Sequence, residues 1–421
     1  MPGKLIYLDN AATSFPKPEQ VYKAHDKYFR LAGNAGRGGH KLSIESARVV
    51  FESRLKIAQF LGVRRTECLV FTGGCTESIN IALNAWYSTV SEESRGPLPA
   101  LVSALEHNAV MRPLHAMEMR GEVIVHKLAH SPGQILDLDE LQKQIATLHP
   151  KLLVLQHGNN VTGEVADLLG AWKICRQSSV SLLVDAAQTA GCLESELKAI
   201  EADFEEAKND NLSFFWCASA HKSLLGPIGV GLLYVAAPHF APLIYGGTGS
   251  HSEQFDMPLE LPARLEAGSQ PVQAIASLSA GVGWLEENDL SKLRRSTTGL
   301  LLSFREWCLE QPYIKIVGDF VDTSYGAMAA IAERRLPTLS IQVEDAAPSL
   351  VADILNEEMG IAVRSGLHCS SFTHASLDTI ESGGLTRVSF GFFNTFDDLQ
   401  KLCDALALVR RRLQPARKSG A

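Results

Sequence analysis

Lys222 stands in Ser219-Ala-His-Lys-Ser-Leu-Leu-Gly-Pro-Ile-Gly-Val-Gly231, just after an apolar, strand-like run and just before glycines and a second such run. A lone lysine at a sheet edge is in most proteins a solvated surface residue. Desolvated beside another cation it loses basicity and becomes an amine able to form a Schiff base. Ser181-Leu-Leu-Val-Asp-Ala-Ala-Gln188 is an apolar strand ending in Asp185, a place where an aspartate by itself is more often a helix cap. Phe71-Thr-Gly-Gly-Cys-Thr-Glu-Ser-Ile-Asn80 reads as strand, tight glycine turn and helix, whose N–H groups and dipole form an anion cup. No Gly-Lys-Ser/Thr follows, so the turn is not a nucleotide P-loop. In Glu106-His-Asn108, the imidazole of His107 would either satisfy a local hydrogen bond or stack on an aromatic ring and relay a proton.

These pieces suit one kind of cofactor. Pyridoxal 5'-phosphate (PLP) needs a Schiff-base lysine, a carboxylate that keeps its pyridine nitrogen protonated so that the ring accepts carbanion electrons, and donors for its phosphate. Lys222, Asp185 and the cup around Cys75 and Thr76 answer those needs in turn. Gln188 reaches toward the ring's phenolic oxygen, and Ser219 and His221 offer further phosphate donors.

The elements that must position these residues are legible as alternating runs. Strand-like segments recur at 68–72, 100–103, 123–127, 152–156, 181–185, 214–218 and 229–235, most of them separated by helical stretches. Alternating strand and helix predicts a largely parallel sheet covered on both faces, with ligands at the strand C-termini. The polar stretch 205–211 reads as a surface loop. Past the glycines at 246–249 the pattern changes: helices over 271–287 and 291–310, a strand over 338–343, a helix over 348–359, a strand over 361–365 and a last helix over 395–413 with a basic, solvated tail. We expect a large domain over 16–262 and a smaller α+β domain over 263–421, with residues 1–15 packing against the latter.

Composition bounds the remaining classes. The chain has 421 residues, 46% hydrophobic and 20% charged, enough for a large core divided into domains. A net charge of -8 gives no basic stripe for nucleic acid, and no apolar run is long enough for a bilayer. The N-terminal residues lack a secretory signal pattern, so a cytoplasmic protein is expected. The 8 cysteines contain no CxxC pair, which argues against a structural zinc site or a disulfide framework, and no metal site is expected. Most should be small buried hydrophobes.

Taken together the motifs resemble the class V aminotransferase superfamily, and within it the group II, selenocysteine lyase-like cysteine desulfurases. The likeness runs from Tyr7-Leu-Asp-Asn-Ala-Ala-Thr13 through Asn34-Ala-Gly-Arg-Gly-Gly-His40 to Arg387-Val-Ser-Phe-Gly-Phe-Phe-Asn-Thr395. It implies PLP fold type I: a large domain with a mixed, mostly parallel seven-stranded sheet between helices, and a small α+β domain. It further implies that Lys222 carries the Schiff base, His107 stacks on the ring, Asp185 pairs with the pyridine nitrogen, and Asn160 with Gln188 approaches the phenolic oxygen. Thr76, Ser219 and His221 would hold the phosphate.

The same resemblance implies a homodimer in which Glu266-Ala-Gly-Ser-Gln-Pro271 completes the partner's phosphate site, with Ser269 where relatives often carry threonine. Gly246-Gly-Thr-Gly-Ser250 resembles an active-site loop. Arg387 matches the arginine that clamps the substrate carboxylate, with Asn34 and Arg364 also on the substrate side. Val363-Arg-Ser-Gly-Leu-His-Cys-Ser370 resembles the Arg-x-Gly-x-x-Cys signature, making Cys369 the nucleophile, with His368 and Arg364 favouring its thiolate.

The expected reaction converts L-cysteine to L-alanine with transfer of sulfur to Cys369 and then to an acceptor, which could be a protein. Relatives commonly read Gly-His-His-Cys-Ala where this chain has Gly366-Leu-His-Cys-Ser370, so selenocysteine, cysteine sulfinate and plain carbon–sulfur lysis stay open as alternatives. A non-catalytic sulfur-transfer scaffold would not need Lys222, Asp185, Arg387 and Cys369 together. Cys75 stands where relatives usually have alanine or threonine, and the stretch between Gly191 and Lys222 is longer than the family's.

Overall fold

The computed structural model describes residues 5–36, 38–91, 96–130, 135–207, 212–238, 240–249, 253–318 and 334–413. The chain opens with strand β1 (Ile6–Tyr7) and helices α1 (Glu19–Leu31) and α2 (Lys41–Leu61). Strand and helix then alternate through β2 (Leu69–Thr72), α3 (Cys75–Val90), β3 (Leu98–Val102), α4 (Asn108–Met119), β4 (Val123–Lys127), α5 (Leu138–Leu148), β5 (Leu152–Gln156), α6 (Leu168–Gln177), β6 (Ser181–Asp185), α7 (Leu197–Ala207), β7 (Phe214–Ser219) and β8 (Gly231–Ala236). Helices α8 (Val272–Glu287) and α9 (Leu290–Leu309) lead into β9 (Ile314–Val317), β10 (Thr338–Val343), α10 (Pro348–Met359), β11 (Ile361–Ala362), β12 (Arg364–Gly366), α11 (Ser371–Ser376), β13 (Leu385–Ser389) and α12 (Phe396–Leu413).

The large sheet has seven strands in the order β2-β8-β7-β6-β5-β3-β4. Only β8 runs against its neighbours there, returning beside β7 from the turn that carries Lys222. Both faces of the strands are apolar, as a sheet covered on both sides requires. Leu182 and Val184 of β6 and Phe214 and Trp216 of β7 enter one core, with α2, α5, α6, α7 and α8. Leu183, Phe215 and Cys217 point the other way, into the core with α3 and α4. This is the mixed, mostly parallel arrangement expected from the sequence.

A second, four-stranded antiparallel sheet has the order β12-β13-β10-β9, and β1 pairs in parallel with β11 beside it. Leu339, Ile341, Val388, Phe304 and Leu402 fill its core, joined by Ile6 and Leu8 from the start of the chain. Helix α8, which the sequence reading put with this smaller part, instead buries Val272, Ile275, Leu278 and Val282 in the core of the large sheet. We therefore propose that the division between the two parts falls at the α8–α9 junction rather than at residue 263.

Three strands escaped the sequence reading: β1 is two residues long, β9 is only partly buried, and β13 mixes polar and apolar side chains although all five are buried, so none has a clear alternation. Of the expected loop at 205–211, residues 205–207 belong to α7, and the rest lies outside the described residues, as does the basic tail after residue 413. The helix is held by Trp172, whose indole N–H donates to Asp203 at 2.7 Å and whose ring stacks on Phe204. Glu201 accepts from the backbone N–H groups of Arg64 and Arg65 and from the Tyr234 hydroxyl, at 2.7, 2.9 and 3.0 Å. Within the long Gly191–Lys222 stretch, residues 197–207 are thus a helix packed on the sheet. Among the described residues no helix is long and apolar enough to cross a membrane.

One buried ion pair fixes the 266–271 segment to the first sheet strand. Arg54 Nη1 and Glu266 Oε1 are 2.8 Å apart, with the side chains 7% and 8% exposed. The same Oε1 accepts from the Phe71 N–H at 2.7 Å. Removing one member leaves the other charge buried and unpaired, so Glu266→Ala should cost about 3 kcal/mol, whereas the apolar double replacement Arg54→Met/Glu266→Met should cost less. Denaturant unfolding midpoints of the two variants check this.

Candidate active site

Strands β5, β6 and β7 are parallel and in register at their C-terminal ends, Gln156 lying opposite Asp185 and Asp185 opposite Cys217. Ser219 closes β7, and His221 and Lys222 follow in the turn to β8. The C-terminal edge of a parallel sheet is where helix N-termini and loops converge on a ligand. Here they enclose a cavity of about 200 Å³. From the large sheet it is lined by Cys75, Thr76, His107, Asn160, Asp185, Gln188, Ser219, His221 and Lys222, and from the small sheet by Arg364, Cys369 and Arg387.

Desolvation pulls the Lys222 pKa below the usual lysine range, against the opposing pull of the Asp185 charge. Asp185 is 3% exposed, and its Oδ1 accepts from the Ala187 N–H at 2.9 Å. That is a local turn contact, not the helix cap the sequence also allowed. The Cys75 thiol lies 3.6 Å from the same oxygen. Burial and then the Asp185 charge push this thiol well above its ordinary range, so it stays protonated and donates. The contact was invisible in the sequence, where Cys75 was read only through its backbone.

The cup is built by glycine. Gly74 sits at φ 154 and ψ 169, a region open essentially to glycine alone, and opens α3 at Cys75. Strand β8 passes so close that a Cβ on Gly231 would fall 2.4 Å from the Gly74 carbonyl carbon. The Glu77 carboxylate folds back to accept from the Gly73 N–H. His221 Nδ1 is buried and has no partner among the described residues. Burial, followed by the Lys222 and Lys17 charges, holds that ring's pKa down at about 4, so it is a neutral donor or acceptor.

His107 caps α4, its Nδ1 accepting from the Ala109 N–H at 3.1 Å. An accepting Nδ1 places the proton of the neutral ring on Nε2. Desolvation lowers its pKa to about 4, keeping the ring uncharged. The residue thus satisfies a local bond and also lines the cavity. Its neighbour Glu106 is fully buried, with Oε1 accepting from Ser103 Oγ at 2.6 Å and from the Gln156 N–H at 2.7 Å. Burial pushes its pKa up to about 8.

Arg387 lies on β13 and is 1% exposed. Its Nη1 donates to the Asn160 carbonyl at 3.0 Å and its Nη2 to Asp9 Oδ1 at 2.6 Å, while Nε has no partner among the described residues. Asp9 is a residue the sequence reading missed; it was seen only as part of a motif. Gln188 lines the cavity and donates to the Ala11 carbonyl at 2.9 Å.

Cys369 is exposed, while the other seven cysteines are buried. It and His368 hold left-handed backbone angles, φ 56 and 51, which side-chain-bearing residues rarely adopt. Asn160 braces this turn, donating to the His368 carbonyl at 3.0 Å and accepting from Ser370 Oγ at 2.9 Å. The Asn108 N–H holds the Cys369 carbonyl at 3.0 Å. Arg364 Nη2 reaches Cys369 Sγ at 3.5 Å, so of the two side chains expected beside the sulfur it is the one in contact with it. His368 does not share that role: its ring nitrogens pair with His374 at 3.2 Å and the Arg364 carbonyl at 3.4 Å, and burial keeps it neutral. His374 passes the chain on to Thr379 Oγ1 at 2.7 Å.

Two expected residues are not brought to the cavity of this chain. Asn34 and Ser269 lie together instead, Nδ2 to Oγ 3.5 Å, on a more exposed part of the surface. Ser250 of the glycine-rich loop lies outside the described residues.

A mostly parallel seven-stranded sheet, with a lysine, an aspartate and a histidine at its strand ends and an arginine from a small antiparallel sheet facing them, is the architecture of PLP-dependent enzymes of fold type I. The chain belongs to the aminotransferase class-V family, whose model matches residues 6–402. It is 28% identical over 407 residues to a probable cysteine desulfurase of Methanothermobacter thermautotrophicus, covering 95% of this chain and 94% of that one. With the Escherichia coli cysteine desulfurase CsdA it shares 27% over 409 residues, 95% and 93% of the two chains. The apo structure of a Thermococcus onnurineus cysteine desulfurase superposes with a TM-score of 0.83 at 26% identity, covering 97% of this chain and 95% of that one. CsdA in its S-sulfonic acid form gives 0.79 at 26%, covering 97% and 96%.

Two outcomes follow from this geometry. Arg364→Met should slow alkylation of Cys369 by iodoacetamide about fivefold, since it removes the guanidinium that holds the exposed sulfur in place; peptide mass spectrometry reads the rate at that cysteine. Glu106 is protonated in the folded chain up to about pH 8 but ionises near its ordinary value of 4.5 when unfolded. Its contribution is therefore full below pH 4.5 and is lost as pH rises to about 8. Glu106→Gln removes that loss, so melting temperatures should rise relative to the parent between those pH values and then run parallel.

Proposed function

We propose that this chain is a PLP-dependent cysteine desulfurase that converts L-cysteine to L-alanine and leaves the sulfur as a persulfide on Cys369. The observation that carries this reading is the exposed thiol of Cys369, held in a braced left-handed turn with Arg364 at its sulfur, in the same cavity as Lys222. The names of the relatives and of the structural neighbours point the same way.

The residues fit PLP. The unpartnered His221 Nδ1 and the glycine turn at the α3 N-terminus suit its phosphate, with Thr76 and Ser219 beside them. The buried Asp185 carboxylate suits a pyridinium nitrogen, His107 the ring face, and Asn160 and Gln188 the phenolic oxygen. Bound PLP supplies a protonated ring that takes up the electron pair left when the substrate's Cα–H bond breaks.

Everything else falls to the chain. Arg387, already turned into place by Asp9 and the Asn160 carbonyl, receives the substrate carboxylate, with its Nε the unpaired donor. Lys222, its basicity lowered by burial, takes the α-proton. The Cys369 thiolate attacks the substrate sulfur, an S–S bond forms as the C–S bond breaks, and the substrate's β-carbon takes a proton to become the methyl group of alanine. The exposed position of Cys369 then leaves the persulfide open to an acceptor.

The working form is a homodimer. Ser269 lies outside the cavity of its own chain, and Phe29, Leu42, Ile44 and Phe51 on α1 and α2 are exposed apolar side chains. In Cys369→Ala, alanine release from cysteine should fall to background and no peptide should gain a sulfur, while Lys222→Ala should lose the visible absorption of bound PLP. Alanine formed at the parental rate by Cys369→Ala, or pyruvate plus sulfide as products of the parent, would overturn the desulfurase reading.

A further inference from the structure

Beside the phosphate cup lies a cation with no counter-charge. Lys17 Nζ is 2.6 Å from Ser14 Oγ and 2.6 Å from the His221 carbonyl oxygen, and among the described residues no carboxylate lies within ion-pair distance of it. The ammonium is half-buried, and desolvation pulls its pKa down to about 8. Cations taken out of water are normally paired, because the desolvation cost is otherwise uncompensated.

Its surroundings say which anion would pair with it. The segment around Lys17 grips the turn that carries His221 and Lys222: Thr13 Oγ1 and the Ser14 N–H donate to the His221 carbonyl at 3.0 and 3.1 Å, and Ser14 Oγ donates to the Lys222 carbonyl at 2.8 Å. On the other side of that residue, His221 Nδ1 is buried and unpartnered at the cavity. Apart from Lys222, the amine assigned to the cofactor's aldehyde, the cup itself is short of positive charge. Thr76 and Ser219 are neutral, His221 is held neutral, and Glu77 adds a carboxylate at Gly73. The cavity's two arginines come from the small sheet and are engaged with Asp9, Asn160 and Cys369.

We propose that Lys17 supplies the positive charge of the phosphate cup, acting through the His221 turn that it holds, and is thereby a positioning residue for a phosphate monoester dianion. The proposal rests on the reading of this cavity as a PLP site. A cation one residue behind the phosphate donors offsets the dianion without occupying the cup, and its hydrogen bond to the His221 carbonyl keeps the imidazole aimed at the cavity.

The test separates charge on the phosphate from general support of the turn. PLP-stripped parent, Lys17→Met, Lys17→Gln and Lys17→Arg are titrated with PLP and with pyridoxal, which lacks the phosphate, following visible absorption. Lys17→Met and Lys17→Gln should each bind PLP about tenfold more weakly and pyridoxal within about twofold of the parent, with Lys17→Arg restoring most of the PLP affinity. Equal weakening toward both ligands, or unchanged PLP affinity in both neutral variants, overturns the proposal. A parent that shows no visible absorption with PLP instead sinks the cofactor reading. Inorganic phosphate then decides the role of Lys17 alone, since it should raise the melting temperature of the parent more than that of either neutral variant, and equal shifts overturn it.

Discussion

Asp185 ends β6 beside Cys217 of β7, and three residues beyond the end of β7 the chain presents Lys222. Both line one cavity, where burial and the carboxylate act in opposite directions on the charge of the amine. Opposite charges in a poorly solvating interior attract strongly, but the cost of desolvating them is larger still. The balance is visible in Lys222, whose basicity falls despite the attraction of Asp185. A carboxylate in this position must be satisfied from within the protein, and the Ala187 N–H and the Cys75 thiol do so. On the large-sheet side, Cys75, His107 and His221 are held neutral beside the pair, and the added positive charge comes from Arg364 and Arg387 of the small sheet.

That arrangement is a consequence of strand register, and register is what the sequence wrote most clearly. Strands 123–127, 152–156, 181–185 and 338–343 and helix 348–359 lie where the apolar runs put them, and in the central strands 152–156 and 181–185 every residue is buried and the run ends in a polar side chain. Lys222, Asp185, His107 and Thr76 were legible for the same reason, each sitting at or a few residues past a strand's end. β1 and β9 were not, being short or half-exposed, and the residues of α8 carried no mark of which core they would enter. Its apolar side chains would suit either sheet, and only the packing against α1 and α2 decides.

The Cys369 turn was legible as chemistry and opaque as structure. Nothing in Leu-His-Cys-Ser says that two consecutive residues will hold left-handed angles, a conformation that costs about 1–2 kcal/mol for each residue bearing a Cβ. The cost is met by contacts from distant parts of the chain: Asn160 from the loop after β5, Asn108 from the start of α4, and the His374–Thr379 pair that ties up the His368 ring. His368 therefore serves the backbone, and Arg364 serves the sulfur. Residue type alone suggested the same role for both; burial separates them.

The N-terminal segment is where the two sheets meet the cavity together. Ile6 and Tyr7 pair with β11, and Asp9 holds Arg387. The Ala11 N–H bonds Ser389 Oγ, Gln188 bonds the Ala11 carbonyl, and Thr13, Ser14 and Lys17 hold the His221–Lys222 turn. The stretch from Asp9 to Lys17 therefore connects the arginine on β13 to the lysine past β7 outside both hydrophobic cores. Anchors at both ends make the segment a tether whose length sets how far the small sheet can move relative to the large one before a hydrogen bond at Asp9 or Ser14 breaks. The separation between carboxylate clamp and amine, on which the fit of a small amino acid depends, is thus set by this segment together with the direct contacts of Arg387 with Asn160, Ser340 with Val161 and Glu164 with Arg335.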